Sequence, residues 1–285
     1  MDALDILVRT LSTPAPTGPS RTRWQYHSRS DRHSKIACWG VLFDLLQTSE
    51  LLRSHVVDGK VVFGVNHVMR DFVNNKKKAL DLVLCRPGNA ENSPKRRPDT
   101  LMSLADRWSI SLTVDQQAKM NSLPSIPEGP VGAVLVALEA KATMTEHTKA
   151  GPRLYDELNS SHQIVHASSS KALSVGFFMV NASKSFISPD RNKGGASPAV
   201  TVTMHRQPAA AAFSINVVEG LPRRSSASGV GYDGMAIVVV DMPNDGRTPV
   251  KLVTVPPAPQ PGDIFNYDAM LTRIANEYDA TFARI

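Results

Sequence analysis

Residues 131–142 read VGAVLVALEAKA. From Val134 to Leu138 the run is continuously apolar, as a strand covered on both faces requires. It ends in Glu139-Ala140-Lys141. Successive strand side chains point to opposite faces, so Glu139 and Lys141 share one face and Leu138 and Ala140 the other. Charged groups at the end of an apolar strand are costly to bury unless paired, metal-bound or open to a cleft. The segment therefore predicts a buried strand that delivers two ionisable side chains to its C-terminal end.

Upstream, Ala79–Cys85 (ALDLVLC) reads as a second strand, interrupted by one acid, Asp81. Lys60–Arg70 reads as a third, with Asn74–Lys78 as a polar, basic hairpin between them. Before these, Ile36, Trp39, Leu42, Phe43, Leu46 and Leu51 recur at helical spacing over residues 34–55. Downstream, Leu154, Leu158, Ser161 and Val165 form one helical stripe, followed by a strand at Ala172–Val180. The order helix, strand, strand, strand, helix, strand predicts an α/β fold: three αβα layers around a central mixed sheet.

The rest of the chain decorates that core. Residues 13–35 read as a basic arm opened by proline, glycine and serine. Residues 86–130 form a long polar insertion with short helices at Leu101–Arg107 and Val114–Leu123; intervals of that length are usually functional. Residues 184–200 and 223–233 read as loops, 208–219 as helix and Met235–Asp241 as strand. A final helix is capped by Asp263 and places Tyr267, Leu271, Ile274, Tyr278 and Phe282 on one face. The expectation is a single domain over 1–285, with its core at about 35–182 plus 230–285.

Composition narrows the function. An apolar share of 42% with 17 glycines excludes a disordered or fibrous chain. The net charge of +6 lies in the first hundred residues, which carry 16 basic and 10 acidic side chains against 16 and 16 in the remainder. A basic patch there favours a polyanion partner. Cys38 and Cys85 form no CxxC pair, which argues against a disulfide framework or a thiolate zinc site. No apolar run approaches the ~20 residues of a membrane helix, and the N-terminal order of charges is wrong for a secretory signal. The expectation is a cytoplasmic protein without a membrane partner. The eight histidines show no HExxH spacing, and no phosphate-binding loop or GxGxxG is present.

Pairing of the two strands would bring Asp81 beside Glu139, so that two carboxylates and Lys141 converge. A hard cation such as Mg2+ prefers carboxylate oxygens and keeps several waters. There it polarises a phosphoryl oxygen and acidifies a bound water, with Lys141 orienting that water or stabilising developing charge. This is the equipment of phosphodiester hydrolysis. The bland alternative is a structural Glu139–Lys141 ion pair.

Asp81 … Glu139-x-Lys141, followed by a helix (GPRLYDELNSSHQIVHA, 151–167) and another strand, resembles the PD-(D/E)XK nucleases, and in particular their type II restriction endonucleases. The resemblance covers about residues 35–182. It implies a restriction-endonuclease-like fold, Mg2+ held by Asp81 and Glu139, catalysis by Asp81, Glu139 and Lys141, and cleavage of double-stranded DNA. It also implies a homodimer and, functionally, a companion DNA methyltransferase. The proline that the family places before its first acid is Leu80 here. A literal Pro98-Asp99 lies in a polar loop, and Asp81 is preferred because a strand places a ligand rigidly. Candidate DNA contacts are Arg21, Arg23, Trp24, Arg29, Arg32, Lys76, Lys77, Lys78, His162 and Gln163. The alternatives are a structure- or modification-dependent nuclease on the same fold, or a non-catalytic DNA-binding relative.

Overall fold

A computed structural model describes residues 1–16, 23–71, 75–89, 98–192, 200–226 and 228–285. Its centre is a six-stranded mixed sheet. In chain order the strands are β3 (Val62–Asp71), β4 (Lys76–Pro87), β5 (Val131–Thr143), β6 (Leu173–Asn181), β9 (Gly234–Asp241) and β10 (Lys251–Leu252). Their spatial order is β10-β9-β6-β5-β4-β3. The β3–β4–β5 meander is antiparallel, while β5, β6 and β9 run parallel to one another. The parallel strands β6 and β9 are largely apolar because both faces are covered: every residue of β6 is buried, as are Gly234 to Val240 of β9.

Helices cover both faces, giving the three layers expected. On one side lie α1 (Ala3–Ser12), α2 (Arg32–Thr48), α3 (Glu50–Val57), α4 (Leu101–Arg107), α5 (Val114–Ser122) and α8 (Tyr267–Thr281). They share one apolar cluster with Leu82, Leu84, Leu138, Val175 and Val238 of the sheet. On the other side, α6 (His147–Ser168) and α7 (Ala209–Glu219) pack on Phe178, Val180, Ile237 and Val239, and α6 also packs on Leu80 and Ala137. Two small ribbons complete the fold: β1 (Ala15–Pro16) with β2 (Arg23–Trp24), and β7 (Ser185–Ile187) with β8 (Val202–Met204).

The sequence expectations need local revision. The helix expected over 34–55 is two helices, divided where the Ser49 hydroxyl accepts from Leu52 N and starts α3. The cap of α8 is Asn266, whose side chain accepts from Asp268 N; Asp263 instead accepts from Phe265 N in the preceding turn. The loop expected at 184–200 contains β7, which pairs with β8 just beyond it. The arm at 13–35 is tied down at both ends: Arg32 donates to the Thr10, Thr13 and Gln25 carbonyls, and Gln25 donates to Thr248 O. Among the described residues no helix is long and apolar enough to cross a membrane.

Candidate active site

Asp81 sits where the sheet is distorted. β3 and β4 pair on either side of it, His67 with Leu80 and Val65 with Leu82, but not at Asp81 itself. Opposite, Asn66 takes a left-handed backbone (φ 52°), a conformation that asparagine tolerates better than most residues. Leu80 joins the α6-side cluster and Leu82 the α2-side cluster, although strict alternation would put them on one face. The local twist frees the Asp81 carboxylate from the ladder. Its Oδ2 accepts the Ala140 amide at 2.8 Å, which pins the middle of β4 to the Glu139-Ala140-Lys141 segment.

Glu139 is only 3% exposed. Its Oε1 meets the Lys141 ammonium at 2.7 Å and that of Lys78 at 3.5 Å. Its Oε2 is buried and has no hydrogen-bond partner among the described residues. Lys141 opens with Asp81 into a cleft of about 830 Å³. The cleft is walled by His33 and Ser34 of α2, by Ala150, Arg153, Leu154 and Glu157 of α6, and by Ser188 to Arg191 after β7. Of the three residues picked out in the sequence, Asp81 and Lys141 line the cleft, while Glu139 is buried behind them and joined to Lys141.

The electrostatics follow from burial and proximity. Desolvation, then the facing charge of Glu139, pushes the Asp81 carboxyl up to about 6; the Ala140 amide, Lys141 and the Ser34 hydroxyl pull the other way. For Lys141, desolvation works against the ammonium, but the charge and hydrogen bond of Glu139, with Asp81 behind, outweigh it and hold the group above its ordinary value. His33 packs against Tyr26 in a tilted arrangement, ring centroids 5.1 Å apart. Desolvation and then repulsion from Lys141 push its imidazole down to about 4, so it is neutral at pH 7.

The raised Asp81 value makes a prediction about stability. The folded chain keeps a proton on Asp81 up to about pH 6 that the unfolded chain releases near 3.8. The carboxyl is thus favourable to folding only in acid, and becomes a cost as pH rises through 6. Asp81→Asn retains an oxygen for the Ala140 amide and removes the charge. A shift of about two units corresponds to about 3 kcal/mol, reduced to about 1–2 by partial exposure. Melting curves should show the variant more stable than wild type at pH 8, by about 2–6 °C, with the gap closed at pH 4. An equal gap at both pH values would contradict the assignment.

Around the rim, arginines and lysines are matched with acids. Arg29 pairs with Asp190 (3.5 Å), Arg191 with Glu146 (2.7 Å), and Arg153 with Glu157 (2.6 Å); Lys149 also approaches Glu146 (3.6 Å). Such exposed pairs contribute little to stability, so a phosphate competes with each carboxylate at small cost.

The expected DNA contacts separate. Arg29 lines the cleft; Arg23, Lys76, Lys77 and Gln163 are exposed, and Trp24 is half-buried. Arg21 and the Lys95-Arg96-Arg97 run lie outside the described residues. Three of the ten are turned inward. Arg32 spends its guanidinium on three backbone carbonyls. Lys78 points at Glu139 and α6. His162 is fully buried, against Tyr232 and Asn159. His147 is also buried and meets Asn181 O through Nε2. Asp99, the rival acid, is committed to Arg107 and Ser103, and Asp44 is saturated by the Asp2 and Ala3 amides and the Tyr267 hydroxyl.

Sequence reading missed the α6 wall and the role of His33 and Ser34. A signal existed for the first: Ala150, Arg153, Leu154 and Glu157 recur at spacings of three and four, one helical face. Among the described residues no group of three or more His, Cys, Asp or Glu side chains is gathered to hold a metal. Any ion here would rest on Asp81 and Glu139, with the remaining positions filled by water or substrate. No family model matches the chain, and neither does any curated protein or solved structure.

Proposed function

We propose that the chain is a Mg2+-dependent endonuclease that hydrolyses phosphodiester bonds of double-stranded DNA, of the type II restriction kind. The observation that carries this reading is the opening of Asp81 and Lys141 into one cleft, with Glu139 buried behind them, paired to Lys141 and left with Oε2 lacking a hydrogen-bond partner among the described residues. A buried carboxylate oxygen without a donor is costly, and a divalent cation shared with Asp81 would relieve it. The elevated Asp81 value supports the same reading, since burial and then the facing charge of Glu139 both disfavour the ionised carboxyl and a cation would offset them. Two carboxylates also suit Mg2+, which is held by one or two of them and keeps waters for its other positions. The restriction-endonuclease-like form of the fold belongs to the same reading, supported by an antiparallel meander followed by a helix and a parallel strand.

A bound Mg2+ would supply Lewis acidity toward a phosphoryl oxygen and a water of lowered pKa. The chain's own residues do the rest. Asp81 and Glu139 are rigid ligands, one fixed by the Ala140 amide and one by two ammonium groups. Lys141 stays protonated, so it donates rather than accepts. It orients the attacking water or stabilises charge on the phosphoryl group. Arg29, Lys149, Arg153 and Arg191 offer the rim cations that a DNA backbone needs once their carboxylate partners yield. A homodimer would match a twofold-symmetric site, a site-specific cutter needs a protecting methyltransferase, and both belong to the proposal, as does a cytoplasmic location.

The test is incubation of the purified chain with unmethylated plasmid and phage DNA, with and without Mg2+. Discrete fragments that need Mg2+ are expected. Nicking confined to junctions or to modified DNA would move the protein to a structure- or modification-dependent nuclease. Salt-sensitive binding without cleavage would make it a DNA-binding relative.

A further inference from the structure

Lys78 was expected at the DNA surface with Lys76 and Lys77. The fold instead turns it inward: its side chain is 15% exposed against 3% for Glu139. Its ammonium lies 3.5 Å from Glu139 Oε1, donates to the Glu157 carbonyl oxygen, and reaches Ser160 Oγ at 3.4 Å. Three acceptors from β5 and α6 thus hold it in one place. Glu139 is left asymmetric, with Oε1 facing two ammonium groups and Oε2 facing none.

That asymmetry limits what the site can hold. Two carboxylates and two ammonium groups already sum to zero charge. One divalent cation has a vacant oxygen on Glu139 and a carboxylate on Asp81. A second would need Oε1, and so would have to expel a buried ammonium and leave its other acceptors unmatched, which is expensive at low dielectric. No third acid or histidine among the described residues joins Asp81 and Glu139 to serve it.

We propose that this site takes one divalent cation per chain, on Glu139 Oε2 and Asp81, and that Lys78 is a positioning residue that, together with the closer Lys141, reserves Oε1 and so excludes a second ion. The inference rests on the nuclease reading for its metal site, and goes beyond it in fixing the metal count and a residue that helps set it.

Mn2+ alone, titrated into the full chain and counted by electron paramagnetic resonance, tests both levels separately. One ion per chain, lost in Glu139→Gln, is expected. Two ions would overturn the inference and leave the metal-site reading intact; none would remove that reading and the inference with it. Lys78→Met should bind Mn2+ about tenfold more tightly than wild type, because a fixed positive charge beside the ion is gone. Lys78→Arg, which keeps the charge, should stay within about twofold. Circular dichroism confirms that each variant is folded. An unchanged Mn2+ affinity in folded Lys78→Met would overturn the role given to Lys78.

Discussion

Lys141→Met is expected to slow Mg2+-dependent cleavage by about 10²–10³-fold, the usual cost of removing one preorganised donor aimed at developing charge. The side chain lines the cleft beside Asp81, and its ammonium is fixed 2.7 Å from Glu139 Oε1. The loss should fall on the chemical step, because Lys141 is a donor and not a metal ligand. Mn2+ binding is therefore expected to survive in Lys141→Met and to disappear in Glu139→Gln. Lys141→Arg keeps a charged donor, with a fork that fits the position less well, and should fall between wild type and Lys141→Met. Single-turnover rates at saturating DNA, set beside Mn2+ binding for the three variants, separate the roles. Equal cleavage by wild type and Lys141→Met would remove Lys141 from the mechanism and reduce Glu139–Lys141 to a structural ion pair.

That prediction was already available from VGAVLVALEAKA, and the reason is physical. A strand covered on both faces must be apolar throughout, so two charges at its end stand out. Period-two alternation then puts Glu139 and Lys141 together without any tertiary information. The short helices at 101–107 and 114–122 were legible because each opens with a threonine cap that bonds back to its own first turn. Orientation was not legible where tertiary contacts decide it. Lys76, Lys77 and Lys78 are one basic run in sequence, yet only Lys78 finds Glu139, across a register set by the whole β3–β4–β5 meander. Arg32 looks like its basic neighbours, but its acceptors include carbonyls at Thr10 and Thr13, roughly twenty residues back. The break between α2 and α3 was hidden because the apolar spacing of α2 runs on to Leu51 of α3, so periodicity alone marks no boundary there.

Arg224→Met is expected to cost about 3–5 kcal/mol, the range for breaking a buried ion pair from one side. Arg224 is 4% exposed and Asp233 6%. The guanidinium donates to Asp233 Oδ1 at 2.8 Å and to the Ser170 and Ala172 carbonyls, both also at 2.8 Å. Asp233 Oδ2 accepts from Ser174 N, and Arg273 of α8 donates to the backbone oxygens of both Asp233 and Arg224. The Arg224 side chain therefore ties the loop before β6 to the start of β9, and Arg273 adds α8 to the same knot. Methionine fills much of the volume but leaves Asp233 charged, buried and short of its main partner. At about 2–4 °C per kcal/mol for a chain of this size, the melting temperature should drop by roughly 6–20 °C.

The same knot fixes the pH dependence. Desolvation raises the Asp233 carboxyl, but His166 Nε2 3.4 Å away and the hydrogen bonds from Arg224 and Ser174 outweigh it and hold the group below its ordinary value. Its folded value lies below its unfolded one, so its contribution to stability is complete above about pH 4 and is lost as pH falls through the depressed value. In Arg224→Met the chief counter-charge is gone and the carboxyl rises. The variant can then shed its buried charge by protonation in mild acid, where wild type cannot. The melting-temperature gap should accordingly be widest at pH 7–8 and narrow below about pH 5. Asp233→Asn in the Arg224→Met background removes the stranded charge altogether and should recover part of the loss at pH 7. A gap that stays constant from pH 8 to pH 4, with no recovery in the double variant, would mean that Arg224 acts through packing and its carbonyl acceptors rather than through Asp233.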